Sequence, residues 1–395
     1  MDVSKSRTNL WQRWLKTGIL AVLLFTLSIG LDAAWWNFGG SKKPQQTLLP
    51  SGDAITDGKA LLRYALPIDN QPVREMQANL ESISTALRGK HWSDITRNIT
   101  KVQTTSNQRP TQLLSSVPTE CKPQAESIIA QISSGLTSLR EAAEVEDKEQ
   151  VQTVRDELLE LVGQLEQLMV RGMTFEVPSE YSNLPQLLGR ATVAIETNKG
   201  KMTAVLDGYS APVTAGNFMD LVQRGFYDGL EFTRVEKQYV AQVGDPPGPE
   251  DGFIDPDTGE YRAIPLEILV QNEPSPIYGI TLEEAGMYRS HPVLPFAAYG
   301  TLGMARPDEY LNGGSSQFFF FLFETDLTPP GVNLLDGRYA AFGYVTEGKD
   351  VLVKLTQGDV IESAKVIEGA SNLVQPSMYS GRATRRTPCR TSKKG

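Results

Sequence analysis

NGGSSQFFFF, residues Asn312 to Phe321, sets one amide directly against four phenylalanines, after two glycines and two serines. Glycine and serine clusters punctuate regular structure. The aromatic run behind them reads as a strand, in which successive side chains alternate between faces. Gln317, Phe319 and Phe321 then share one face, and Phe318 and Phe320 share the other. The second pair would fill a core, while the first face sets an amide beside a ring. A fully buried strand with a capping glutamine meets the same pattern, so the rest of the chain has to decide.

Working outward, the residues from 190 to about 370 keep a short strand period. ATVAIETNKGKMTAVL (191–206) reads as a hairpin around Asn198–Lys199–Gly200. TAGNFMDLVQRGFYDG reads as a helix with Phe218, Leu221 and Val222 on one face. LEFTRV, QYVAQVGD, GTLGMAR, SSQFFFFLF and AAFGYV read as short strands. Many short strands with glycine turns suggest a closed barrel or a sandwich.

Further upstream the period becomes helical. Val151, Val154, Leu158, Leu161, Leu165 and Leu168 step by three and four. Ile129, Ile132, Leu136, Leu139 and Ala143 do the same, as do Met76, Leu80, Ile83 and Leu87, and Trp92, Ile95, Ile99 and Val102. Each series lays one apolar stripe along a helix. Breaks at LPIDNQP, LRGKHW, NQRPTQ and PTECKP hold the Pro, Gly and Asn that stop helices. Four or five helices with short loops pack as an antiparallel bundle. The last stripe spans too few heptads to demand a coiled coil. No catalytic constellation is visible here, which suggests a scaffold, an inhibitor or a partner-binding arm.

The chain of 395 residues has 40% apolar and 22% charged content and a formal net charge of −9. Those values describe a globular protein of more than one domain. No basic stripe is present, so a nucleic-acid partner is not expected. The two histidines, His91 and His291, exclude a histidine-rich metal site. Cys121 and Cys389 lie far apart and read as neither a zinc pattern nor a disulfide framework. No metal and no cofactor is expected.

Lys5, Arg7, Arg13 and Lys16 precede an uncharged apolar run, Thr17–Leu31, and Trp35 and Trp36 follow it. This is the layout of an export signal, either cleaved or kept as a membrane anchor. Both readings send the rest of the chain out of the cytoplasm. Residues 37–54 read as a linker. The C-terminal SGRATRRTPCRTSKKG has six basic residues and no acid, and reads as a disordered tail.

APVTAGNFMDLVQRGFYDGLEFTRV, QYVAQVGD, GTLGMAR, GGSSQFFFFL and LLDGRYAAFGYV stand in the order and spacing of the cyclophilins, and this half of the chain resembles that family. With the helical front half, the chain looks like the thylakoid-lumen cyclophilins of plants and cyanobacteria. The lack of a long Ser- and Arg-rich transit peptide favours the cyanobacterial type. The expected organisation is multidomain: a signal or anchor over 1–36, a linker over 37–54, an all-α helical bundle over 55–172, a linker over 173–189, a cyclophilin-like closed eight-stranded β-barrel with two helices over 190–372, and a basic tail over 373–395.

The resemblance implies peptidyl-prolyl cis-trans isomerase activity. A peptide bond resists rotation by ~18–20 kcal/mol because its nitrogen lone pair is delocalised. Isomerisation makes and breaks no bond, so it needs no nucleophile. It needs a dry slot for the ring, an anchor for the carbonyls, and a cation where the nitrogen regains its lone pair. By resemblance Arg234 is that cation, and Gln242 and Gln317 orient the backbone. Tyr239, Val240, Phe319 and Leu335 form the slot, with Ala305 beside it. This chain departs from active cyclophilins in having Tyr239 and Val240 for Phe and Met, Arg306 for a groove Asn, Tyr339 for His and Leu334 for the Trp used by cyclosporin. Weak to moderate activity and poor cyclosporin binding are therefore expected.

Residues 245–299 form an insertion rich in proline and acid that could rim the groove or bind a partner. DPDTGE (255–260) lacks the glycine and the twelfth-position acid of a calcium loop and reads as a turn between two short strands. Two functions of different class follow. One is an exported isomerase, in the thylakoid lumen or periplasm, acting on proline-containing clients. The other is a catalytically weak scaffold that holds proline-containing loops, with the bundle as docking or regulatory arm. The family adds a role in photosystem II assembly, with photosystem II subunits as partners, and a bundle that docks on the barrel and occludes the groove.

Overall fold

The computed structural model describes residues 55–173, 176–256, 258–323 and 333–376. The signal or anchor segment, the 37–54 linker and Cys389 lie outside the described residues. Among those described, no helix is long and apolar enough to cross a membrane.

The helical region contains α1 (Gly58–Ala65), α2 (Gln71–Arg88), α3 (Trp92–Gln108), a short α4 (Pro110–Leu113), α5 (Lys122–Glu144) and α6 (Lys148–Met169). Caps fix several starts: the Asp57, Asn70 and Asp147 side chains accept from the Ala60, Val73 and Gln150 amides. α2, α3, α5 and α6 pack in a ring, each against two others. Met76, Leu80, Ile83, Ile95, Ile99, Val102, Ile132, Leu136, Leu139, Val151 and Leu165 are buried in their shared core. The α6 stripe drifts: Leu159 and Val162 are buried, whereas Leu161 is only partly so. A straight helix slips against a 3.5-residue repeat in this way. Cys121 is buried in the same core.

α1 does not join that ring. Its Leu61, Leu62 and Ala65 belong to a second apolar cluster with Phe296, Phe319, Phe321, Ala341 and Tyr344. A Cβ on Gly58 would lie 2.8 Å from Tyr344 Cβ, so this helix lies directly on the sheet.

The C-terminal half contains β1 (Gln186–Leu187), β2 (Arg190–Thr197), β3 (Gly200–Asp207), α7 (Pro212–Gln223), β4 (Arg234–Glu236), β5 (Val240–Val243), β6 (Glu267–Ile268), β7 (Ile277–Tyr278), β8 (Thr301–Met304), β9 (Phe318–Phe321), β10 (Ala341–Glu347), α8 (Lys349–Lys354), β11 (Ile361–Glu368) and β12 (Leu373–Val374). Eight strands make one antiparallel sheet in the order β11-β2-β3-β10-β8-β9-β5-β4. The expected closed eight-stranded barrel is corrected here: the sheet is open and curled, a half-barrel with edges at β4 and β11. Among the described residues, the bridge Glu231↔Val360 and a few backbone hydrogen bonds, such as Ile361 N to Leu230 O, join the segment before β4 to the start of β11. β4 is three residues long, and it is the residues before it, not β4 itself, that bond across toward β11: Ile361 N donates to Leu230 O and Phe232 N to Asp359 O.

The concave face holds Phe318 and Phe320 in a core with Phe218, Phe232 and Phe342, while Phe319 and Phe321 join the cluster on the opposite face. The alternation read from NGGSSQFFFF is the one observed. β12 pairs with β1, so Leu373 and Val374, placed by sequence in the tail, and Gln186 and Leu187, placed in the linker, form a small second sheet. In the insertion, Glu267 of β6 accepts from the Val213 and Thr214 amides at 3.1 and 2.8 Å, capping α7. The 255–260 turn is flanked by one bridge, Ile254↔Tyr261, rather than by two strands.

Candidate active site

Register builds the site. Arg234 on β4 pairs with Gln242 on β5, Gln242 with Phe319 on β9, and Phe319 with Gly303 on β8. Paired residues of adjacent strands point to the same face. Cation, amide and ring therefore form one row on the convex face of the sheet.

That row lies in a groove of about 400 Å³. It is lined by Arg234, Tyr239, Val240, Gln242, Ala305, Arg306, Gln317, Phe319, Leu335 and Tyr339 among the residues singled out by sequence. Leu334 is not in the lining and is 82% exposed. The sequence reading missed other lining residues: Asp251 and Tyr261 from the insertion, Pro307 and Asp308 after Arg306, and Gly313 and Ser315. The insertion has no periodicity that would have placed Asp251 or Tyr261. Gly313 and Ser315 sit in the opening motif itself.

The floor is dry. Val240, Phe319 and Leu335 are buried. Phe319 stacks on Phe296, with centroids 5.8 Å apart, and meets Tyr339 edge-on at 5.8 Å. Gly303 makes room for this ring. A Cβ there would lie 2.7 Å from Phe319 Cε2 and 2.8 Å from Phe296 Cε1.

The polar wall is internally bonded. Gln242 Nε2 donates to Gln317 Oε1 at 2.7 Å. Gln317 Nε2 donates to Asp245 Oδ1 at 3.2 Å and to the Asp251 carbonyl at 2.9 Å. These bonds fix how both amides face. Partial burial and the nearby Asp251 push the Asp245 carboxyl above the usual range. Arg234 Nε donates to Glu236 Oε1 at 2.7 Å, and its guanidinium lies 5.8 Å from the Tyr239 ring.

The far wall carries the departures. Arg306 donates to the Pro307, Asp308 and Arg338 carbonyls and lies 4.9 Å from the Tyr339 ring centroid. Tyr339 donates to Asp308 Oδ1 at 3.1 Å, and partial burial together with that bond raises its phenol. Asp336 holds the groove loop by accepting from the Phe296 and Asn333 amides, and burial pushes its carboxyl up to about 6. Chemically, the groove can seat a small apolar ring and bond a peptide backbone, with two guanidinium groups, Arg234 and Arg306, along its walls.

Two family models match the chain. Residues 57–170 match the peptidyl-prolyl cis-trans isomerase CYP38-like, PsbQ-like domain, and residues 192–371 match cyclophilin type peptidyl-prolyl cis-trans isomerase/CLD. A putative thylakoid lumen peptidyl-prolyl cis-trans isomerase of Synechocystis is 54% identical over 363 residues, covering 92% of this chain and 96% of that protein. The chloroplastic peptidyl-prolyl cis-trans isomerase CYP38 of Arabidopsis thaliana is 45% identical over 345 residues, covering 85% of this chain and 79% of that protein. A crystal structure of a cyclophilin type isomerase from Cryptosporidium parvum aligns at 22% identity and a TM-score of 0.33, covering 45% of this chain and 98% of that one.

Proposed function

The chain belongs to the cyclophilin-type peptidyl-prolyl cis-trans isomerases that carry an N-terminal PsbQ-like helical domain, and on that premise we propose how its groove works and where. The prolyl ring enters the slot of Val240, Phe319 and Leu335. Gln242 and Gln317 hold the flanking backbone. As the X-Pro bond twists, its nitrogen regains a lone pair, and the Arg234 guanidinium donates to it. A donor that matters only at the twisted geometry lowers the barrier without deepening the ground state. The observation that carries this reading is the row Arg234–Gln242–Phe319 across three neighbouring strands.

The enzyme works on proline-containing clients after export, in the lumen that the Synechocystis relative is named for. Photosystem II subunits are the client class the resemblance favours. The helical unit over 55–172 is a docking or regulatory arm of the cyclophilin-like unit over 190–372. A second reading has one observation behind it. Arg234 and both groove amides already have protein partners, which suits a scaffold that holds proline loops with little turnover.

The test is the cis-to-trans rate of a short peptide with one X-Pro bond, measured with the full chain and with Arg234→Ala. A fall of roughly 10- to 1000-fold is expected, the size of a lost charge-stabilising donor. Equal rates for the two proteins, with the peptide still bound, would leave the scaffold reading.

A further inference from the structure

We propose that Glu236 is a positioning residue that restrains Arg234 and holds the turnover of this groove down. The proposal rests on Arg234 being the catalytic cation. The two residues stand at i and i+2 on β4, so they share a face. β4 is an edge strand of the sheet; Arg234 and Glu236 are exposed, while Val235 between them is turned toward the core. Glu236 Oε1 lies 2.7 Å from Arg234 Nε and 2.7 Å from Arg234 Nη2. Two of the five guanidinium donors are thus directed at one carboxylate oxygen.

This pair has little structural work to do. Its side chains are 50% and 51% exposed, and it links two residues of one short strand rather than two elements. Exposed ion pairs of this kind add little to stability. No other ion pair of either residue is found among the described residues. The cost falls on the groove. Arg234 lines it and Glu236 does not, so the carboxylate draws the guanidinium toward the rim and offsets its charge. Arg234 is also not bonded to Gln242, its cross-strand neighbour, whose amide is turned to Gln317. To serve the twisted amide, Arg234 must leave Glu236 or act with part of its charge neutralised. Either one raises the transition state and leaves substrate binding in the slot unchanged.

The test compares the full-length protein with Glu236→Gln, Arg234→Ala and the double variant, following a short X-Pro peptide by exchange NMR at low and high salt. Glu236→Gln should raise kcat/KM roughly 2- to 5-fold, the span expected for releasing an exposed ion pair. The gain should lie in kcat and should shrink at high salt, which screens the pair in the parent. It should vanish in the Arg234→Ala background, and the Arg234 Nε–H resonance should shift. An unchanged or lower rate for Glu236→Gln, while Arg234→Ala still lowers turnover at least about tenfold, overturns the proposal and leaves the catalytic assignment standing. A gain that persists without Arg234 overturns it too. If Arg234→Ala turns over like the parent, the catalytic assignment itself fails.

Discussion

At the scale of single residues, Gly303 controls the slot. Phe319 lies over it, and any side chain there would collide with the Phe319 and Phe296 rings. Gly303→Ala should push the Phe319 ring off Phe296, cost about 1–3 kcal/mol by overpacking, and lower kcat/KM by about tenfold through loss of slot contacts. Urea unfolding and the peptide assay check the two parts; an unaltered kcat/KM would mean Phe319 does not form the slot. The faces of Gln317 and the four phenylalanines were legible because strand alternation is local. The partners were not: that Phe319 stacks on Phe296 depends on where the insertion returns to the sheet. The Arg234–Glu236 pair lies within FTRVE, and alternation alone puts both side chains on one face.

Elements show a different limit. α1 was placed in the 55–172 bundle with no stripe of its own, and nothing local says which core receives it. The structure sends it to the sheet and holds its C-terminal end from the bundle. Arg74 of α2 donates to the Arg63, Tyr64 and Leu66 carbonyls and pairs with Glu166 of α6 at 3.2 Å. A cation is favoured there, because a helix C-terminus leaves carbonyls unpaired. From the other side, Arg190 of β2 donates to the Leu62 carbonyl and to Asp207. Arg74→Met should cost roughly 3–5 kcal/mol, since it strands a buried carboxylate and frees the end of α1. Urea unfolding measures the loss, and hydrogen exchange of residues 61–66 should rise beyond that of α2 or α6. Uniform exchange would show that α1 is held by its apolar face alone. The open sheet belongs to this scale as well. Seven of the eight strands were readable from the residues, and the eighth, β11, came only with the resemblance; closure depends on which segments meet across the sheet edges, and that is not a local property.

For the whole molecule, buried acids set the response to pH. Burial pushes Glu166 up to about 7, with Arg74 pulling the other way, and pushes Asp336 up to about 6. Glu267 is raised by burial too, although the Thr214 and Val213 amides oppose it. A carboxyl whose folded pKa exceeds its unfolded value binds protons more readily in the folded state. Its contribution to stability is then fully present below the unfolded value, near 4, and is lost as pH rises through the folded value. The protein should therefore gain roughly 3–4 kcal/mol between about pH 8 and about pH 5, opposite in sign to a fold held by ionised, paired acids. Urea midpoints across that range measure it. Glu166→Gln, which keeps the shape and removes the charge, should flatten the part of the slope near pH 7 and leave the part near pH 6 to Asp336. A midpoint that falls on acidification, or a slope untouched by Glu166→Gln, would mean that Arg74 keeps Glu166 ionised throughout. None of this could be read from the chain, where Glu166 is one of several acids on a regular helix; only the packing of α1, α2 and α6 around it removes it from water.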